Sequence, residues 1–161
     1  MPLDSETLRA VMRHWATGVA ILTARDGDHA HGMTVNSLTS VSLNPPLVLV
    51  SLERNAVTHG LVERSRAFAV SLLGESQQAL SDLFARPATE TGDRLAGLAT
   101  HTAVTGAPIL SDNIGALDCA VMAAHPAGTH TIFVAEVLAA QTHNSETPLV
   151  YFDRRYRRLA E

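Results

Sequence analysis

Near the start of the chain, apolar residues recur at Leu8, Val11, Met12 and Trp15, the spacing of one helix face. Asp4 or Ser5 stands where an N-cap belongs, so a short helix is predicted there. From Thr17 the texture changes. The stretch GVAILTA is rich in β-branched residues, Asp26-Gly27-Asp28 is a turn signal, and a second strand is expected over 29–35, which together read as a hairpin. Asn44-Pro45-Pro46 breaks regular structure ahead of the apolar strand LVLVSL. Asn55 is placed to cap a helix over 56–64, a strand AFAVSLL follows at 67–73, and a helix is predicted over 76–84 with Leu80, Leu83 and Phe84 on one face. Residues 86–97 mix Pro, Thr, Glu, Gly and Asp without a period and read as a mobile loop. Two long strands are expected at 114–124 and 129–141, around a turn His125-Pro126-Ala127-Gly128. A last strand, PLVYF, leads into the basic tail RRYRRL.

Strands outnumber helices, and adjacent ones are joined as hairpins. That pattern predicts a mainly β fold, an antiparallel β-barrel with peripheral helices, over a α/β alternation. The length of 161 residues fits one domain, 1–161, and 46% hydrophobic against 17% charged residues allows a sizeable core. A formal charge of −4 has the wrong sign for a nucleic-acid binder, although every basic residue is an arginine. Cys119 is the single cysteine, so no internal disulfide is available. The opening MPLDSETLRA lacks a signal-peptide pattern, and no apolar run approaches the length of roughly 18 residues that a membrane span needs. The expectation is a cytoplasmic protein with no membrane or nucleic-acid partner.

Candidate chemistry concentrates in Gly32-Met33-Thr34-Val35-Asn36-Ser37-Leu38-Thr39-Ser40, a strand end and polar bend crowded with short hydroxyl and amide side chains. Such groups can bond the edge of a heteroaromatic ring, and equally can satisfy one another in a Ser/Thr-rich turn. Asn55, Ala56 and Thr58 fall at a helix start, where free N–H groups and the helix dipole favour an anion, with Arg54 adding charge. Neither a G-x-G-x-x-G after a strand nor a Walker-type glycine loop occurs, so a nucleotide would have to bind by another route. His29-x-His31 puts two rings on one strand face, but with no third ligand close in sequence no metal is assigned. His14, His59, His101, His125 and His143 read as partly exposed surface or cap residues. Cys119 reads as a small buried hydrophobe.

Taken whole, residues 32–47 closely resemble the flavin reductase-like family, whose pattern there is approximately G-M-T-x-N-S-F-T-S-V-S-x-x-P-P-L; Leu38 stands in place of the usual Phe. The resemblance continues through Ala16-Thr17-Gly18-Val19, Phe68-Ala69-Val70, Leu83-Phe84-Ala85, Leu117-Asp118-Cys119, residues 128–137 and Pro148-Leu149-Val150-Tyr151-Phe152. It implies an FMN-binding split barrel in which Thr34, Val35, Asn36 and Ser37 line the isoalloxazine ring of FMN or FAD. It also implies that the stretch holding Ser51, Leu52, Arg54, Asn55, Ala56 and Thr58 binds the flavin phosphate. Arg94 resembles the family's basic residue near that phosphate, and Phe84 and Tyr156 resemble residues beside the flavin. The family's G-D-H motif, whose histidine touches the nicotinamide nucleotide, is here Gly128-Thr129-His130, so His130 is the candidate catalytic contact and a carboxylate is missing beside it.

The resemblance implies an NAD(P)H:flavin oxidoreductase, taking its hydride from NADH or NADPH, forming a homodimer and supplying reduced flavin to a partner monooxygenase. Two alternatives stay open on the same fold: a non-catalytic flavin carrier, or a flavoenzyme acting directly on an organic substrate. The four arginines of 154–158 fit nucleotide phosphate contacts or a solvated end.

Overall fold

In the computed structural model, residues 2–143 and 146–160 are described; the two ends of the expected 1–161 domain lie outside them. Asp4 caps the first helix, α1 (Ser5–Met12), through Thr7 N–H to Asp4 Oδ1 at 2.9 Å. A short strand β1 (Thr17–Gly18) precedes the hairpin of β2 (Ala20–Asp26) and β3 (His29–Val35), which turns on Gly27 at φ +58°. Then come β4 (Thr39–Leu43), β5 (Pro46–Glu53), α2 (Val57–Ser65) and β6 (Ala67–Leu72). A 3-10 turn over Glu75–Gln77 runs into α3 (Gln78–Ala85). After it lie α4 (Ala88–Thr91), the small pair β7 (Thr100–His101) and β8 (Ile109–Leu110), the long hairpin of β9 (Gly115–Ala127) and β10 (His130–Thr142), and finally β11 (Val150–Phe152) and β12 (Arg155–Arg157).

Seven strands form one antiparallel sheet in the order β3-β2-β6-β9-β10-β5-β4. Its outer strands, β3 and β4, sit at opposite ends of that order, yet only residues 36–38 separate them in sequence. Four Cα steps span at most about 14 Å, so the sheet must curl until its edges face each other. Among the described residues no ladder closes β3 onto β4, and the result is the expected barrel, split along one side. Two irregularities in the β9–β10 register, between Val134 and Ala135 and between Val137 and Ala139, supply local bends. Asn36, Ser37 and Leu38 bridge the split.

Alternation along the strands sorts two cores. Leu22, Val50, Leu52, Phe68, Val70 and Phe133 fill the barrel, joined by Leu61 and Val62 of α2; Ile21, Leu73, Phe84, Leu110 and Leu149 form a second cluster outside it. β2 is buried on both faces for that reason. Cys119 lies fully in the barrel core, where burial and the neighbouring Asp118 push its thiol up to about 12, so it stays neutral.

Several expectations are corrected by packing. The β9–β10 turn is tighter than the Pro-containing turn read from sequence: Pro126 pairs with Thr131 in the ladder, and only Gly128 and Thr129 form the loop. Asn55 is not the cap of α2; Ala56 is, with no side-chain capping bond. Residues 86–97, read as a loop without a period, contain the short helix α4 and the buried Arg94. His59 is buried, its Nε2 2.8 Å from Thr131 Oγ1 and its ring 5.3 Å from that of Phe133, since α2 turns this face inward. The basic tail forms β12, and its hairpin with β11 turns on Asp153 and Arg154, both at positive φ. Among the described residues no helix is long and apolar enough to cross a membrane.

Candidate functional site

A cavity of about 640 Å³ opens between β3, the start of α2, the end of α3 and the β11–β12 hairpin, a size typical of a cofactor site. Of the sequence-derived residues it gathers Thr34, Val35, Asn36, Asn55, Ala56, Thr58, Phe84, Arg94 and Tyr156. The N-terminal turn of α2 forms one end. Its N–H groups have no side-chain cap, and Asn55, Ala56, Val57 and Thr58 line the cavity there. An uncapped helix start beside a cavity suits an anion.

Arg94 strengthens that character. Its side chain is only 5% exposed and donates to neutral acceptors: Nε to Thr91 Oγ1 at 2.7 Å, Nη1 to the carbonyls of Phe84 at 2.8 Å and Gly32 at 3.2 Å, and Nη2 to the carbonyl of Arg86. Among the described residues no carboxylate lies within salt-bridge distance of it. Burial lowers its pKa from the ordinary value, yet a guanidinium keeps its charge in proteins. A buried cation without a counter-ion, on the wall of a cavity, favours an anionic ligand.

The other end is aromatic. Tyr151 and Tyr156 are cross-strand partners in edge contact, with ring centroids 5.5 Å apart. The Tyr156 hydroxyl lies 2.7 Å from Ser81 Oγ, and burial raises its pKa. Phe84 closes the floor above Gly32, where a Cβ would meet Phe84 Cε1 at 2.8 Å. Thr34 Oγ1 donates to the Ser81 carbonyl at 2.6 Å, which ties β3 to α3. Asn36 lies where this cavity meets two smaller ones beside α1.

Not every expected residue reaches the cavity. Ser37 and Ser51 are occupied with each other: Ser37 Oγ donates to the Ser51 carbonyl at 2.9 Å and accepts from its N–H at 3.1 Å, bracing the split. Leu52 points into the barrel core by strand alternation. The Arg54 side chain is exposed, while its N–H donates to the Thr129 carbonyl at 3.0 Å. His130 does not line the wall. Its Nδ1 is 2.9 Å from Thr129 Oγ1, and across the ladder its partner is Glu53, which does line the cavity.

Sequence patterning missed His31, Met33, Glu53, Ser81 and Tyr151 as wall residues. For His31 the signal was present: it precedes Gly32 on a strand whose next residues already carried the candidate chemistry. Its Nδ1 is 2.7 Å from Thr58 Oγ1, while its Nε2 is buried without a partner among the described residues.

The fold and the cavity define a split-barrel protein suited to a ligand with a planar ring and an anionic tail. The flavin reductase like domain family matches residues 12–160, and the chain belongs to that family. It is 38% identical over 155 residues to the reductase component of 4-nitrophenol 4-monooxygenase/4-nitrocatechol 2-monooxygenase from Rhodococcus opacus, covering 96% of this chain and 81% of the relative. It is 37% identical over 160 residues to actinorhodin polyketide dimerase from Streptomyces coelicolor, covering 99% and 88%. Among solved structures, the NADH:FAD oxidoreductase SgcE6 of Streptomyces globisporus C-1027, in complex with NAD and FAD fragments, superposes with a TM-score of 0.89 at 33% identity, covering 99% of this chain and 97% of that one.

Proposed function

We propose that this chain is an NAD(P)H:flavin oxidoreductase that reduces FMN or FAD and passes reduced flavin to a separate monooxygenase. The observation that carries this is the pairing of a buried, carboxylate-free Arg94 and an uncapped α2 start with an aromatic opposite end, in a chain that matches flavin reductases along its length. A bound flavin supplies the redox chemistry, accepting hydride from the nicotinamide. The protein's part is placement. Asn55, Ala56, Thr58 and Arg94 hold the phosphate end; Val35 and Asn36 meet the ring edge; Phe84 and Tyr156 confine the ring plane. Thr34, Ser37 and Ser51 act one step back, by fixing the bend that carries those contacts. His130 orients the nicotinamide nucleotide at the mouth, beside Glu53.

The chain acts as one domain over 1–161, in the cytoplasm, as a homodimer. The dimer is supported by α1 and the turn after it, whose Leu8, Val11, Met12 and Trp15 are 53–69% exposed; α1 buries none of its residues against the described part of the chain. One reading remains beside this one, because the relative named as a polyketide dimerase is nearly as similar: a flavoenzyme acting directly on an organic substrate. Steady-state reduction of free flavin by NADH separates the two. A reductase turns over many equivalents of added flavin, whereas an enzyme with resident flavin consumes NADH only when its organic substrate is present.

A further inference from the structure

We propose that His31 is the proton-taking ligand of the flavin phosphate: it binds the flavin nucleotide as an imidazolium, donating from Nε2 to a phosphate oxygen and from Nδ1 to Thr58 Oγ1. The inference rests on the phosphate lying between α2 and Arg94, and adds a residue and a linked proton to that site. Three observations place it there. His31 lines the cavity; its Nδ1 is 2.7 Å from Thr58 Oγ1, which orients the ring from the first turn of α2; and its Nε2 is buried with no partner among the described residues. A buried ring nitrogen left unsatisfied is costly, and the expected remedy is a ligand atom. Arg94 sets the location further, since its Nη1 donates to the carbonyl of Gly32, the next residue after His31.

The charged surroundings decide the direction of the proton. Arg94 and Asp93 act on His31 from the segment after α4, and Arg86 and Glu53 line the same cavity from the end of α3 and the end of β5. On α2 the nearby His59 turns to Thr131, and Arg64 is paired with Asp26 at 2.8 Å. From β12 the neutral phenol Tyr156 bonds Ser81. Burial first, and then Arg94, hold the His31 imidazole below its ordinary value, so the empty site keeps it neutral near pH 7.5. A phosphate between Arg94 and His31 reverses that balance: it offsets the Arg94 charge and favours imidazolium. One proton from solvent is then bound as the nucleotide binds, and affinity rises as pH falls from 8 towards 6.5.

The test is calorimetric titration of the whole protein with FMN, FAD and riboflavin at pH 7.5, in two buffers of different ionisation enthalpy. FAD is the sharper probe, because its diphosphate has no ionisation near neutrality whereas the FMN phosphate titrates near about 6. The parent protein should take up a proton fraction with FMN and with FAD and none with riboflavin. His31→Gln should abolish the uptake and weaken FAD binding about tenfold. Proton uptake by His31→Gln equal to the parent's, or no uptake by the parent with either nucleotide, overturns the proposal whether or not the variant is well folded. If FMN, FAD and riboflavin bind the parent equally well, the phosphate site itself is wrong, a separate failure.

Discussion

Arg94 and His130 carry the most exposed claims at the scale of single residues. Arg94→Met removes a buried cation that pairs with no carboxylate among the described residues, so FMN affinity should fall about ten- to a hundredfold while riboflavin affinity changes little. Equal losses for FMN and riboflavin would mean that Arg94 only shapes the cavity through its carbonyl bonds. His130→Ala should raise KM for NADH and leave flavin affinity unchanged, and Thr129→Asp should shift the same kinetics; parental NADH kinetics in a folded His130→Ala would remove its nicotinamide role. His31 also makes stability depend on pH. Burial and Arg94 lower its pKa from the ordinary 6.5, so the unfolded chain binds more protons there than the folded one. The His31 contribution to stability should therefore be present above about 6.5 and be lost as pH falls from there through the lower folded value, with His31→Gln flattening that part of the curve in denaturant titrations. At this scale the sequence pointed to the segments around the cavity more readily than to each side chain that lines it. Ser37 and Leu52 sit in matched segments, but hydrogen bonding across the split occupies one and strand alternation buries the other. His31 was weighed with His29 as a metal pair and not as a wall residue of the cavity, because the contact that orients its ring comes from Thr58, 27 positions away.

Elements whose signal is local were legible. The β2–β3 hairpin, β5 and β6 follow from apolar period and turn residues, with observed bounds within a residue or two of the expected ones; α1 is found where expected but ends at Met12, short of Trp15, which the helical spacing had included. Elements that depend on partners were not. β12 is a strand because β11 lies beside it, and α4 lies where Arg94 bonds Arg86 ahead of it and Thr91 at its end. The β11–β12 turn places Asp153 and Arg154 at φ 49° and 60°, a two-residue hairpin loop in which glycine is favoured at the second position. Arg154→Gly should therefore stabilise the chain by about 1 kcal/mol, read as a higher Tm. No change or a lower Tm would show that the arginine side chain makes up for the backbone strain. Gly32 gives the opposite case. A Cβ there meets Phe84 at 2.8 Å and Thr23 Cγ2 at 3.1 Å, so Gly32→Ala should cost about 1–3 kcal/mol and displace the cavity floor. Parental stability and flavin affinity in that variant would show that Phe84 moves aside freely.

The topology of the whole molecule explains why the binding motif sits where it does. A seven-stranded sheet whose outer strands are joined by residues 36–38 cannot lie flat, and the split it leaves is bordered by Asn36 and braced by Ser37. Hydrophobic pattern announced the strands and an antiparallel barrel, and the family resemblance announced its split form, but only the strand order shows that motif and split coincide. The apolar face of α1 belongs to the same scale. A homodimer that covers it, burying about 800 Å² per partner, predicts a dimer mass by light scattering and a shift to monomer in Trp15→Glu. A parental monomer with full flavin affinity would contradict it. The claim on which everything else depends is flavin reduction by a nicotinamide nucleotide. Its most direct test is anaerobic mixing of the protein with NADH and a large excess of FMN or FAD, following the visible absorbance of oxidised flavin. The account predicts that catalytic amounts of protein bleach many equivalents of flavin with saturation in both reactants; bleaching no faster than the protein-free mixture, with NADH and with NADPH, would contradict it.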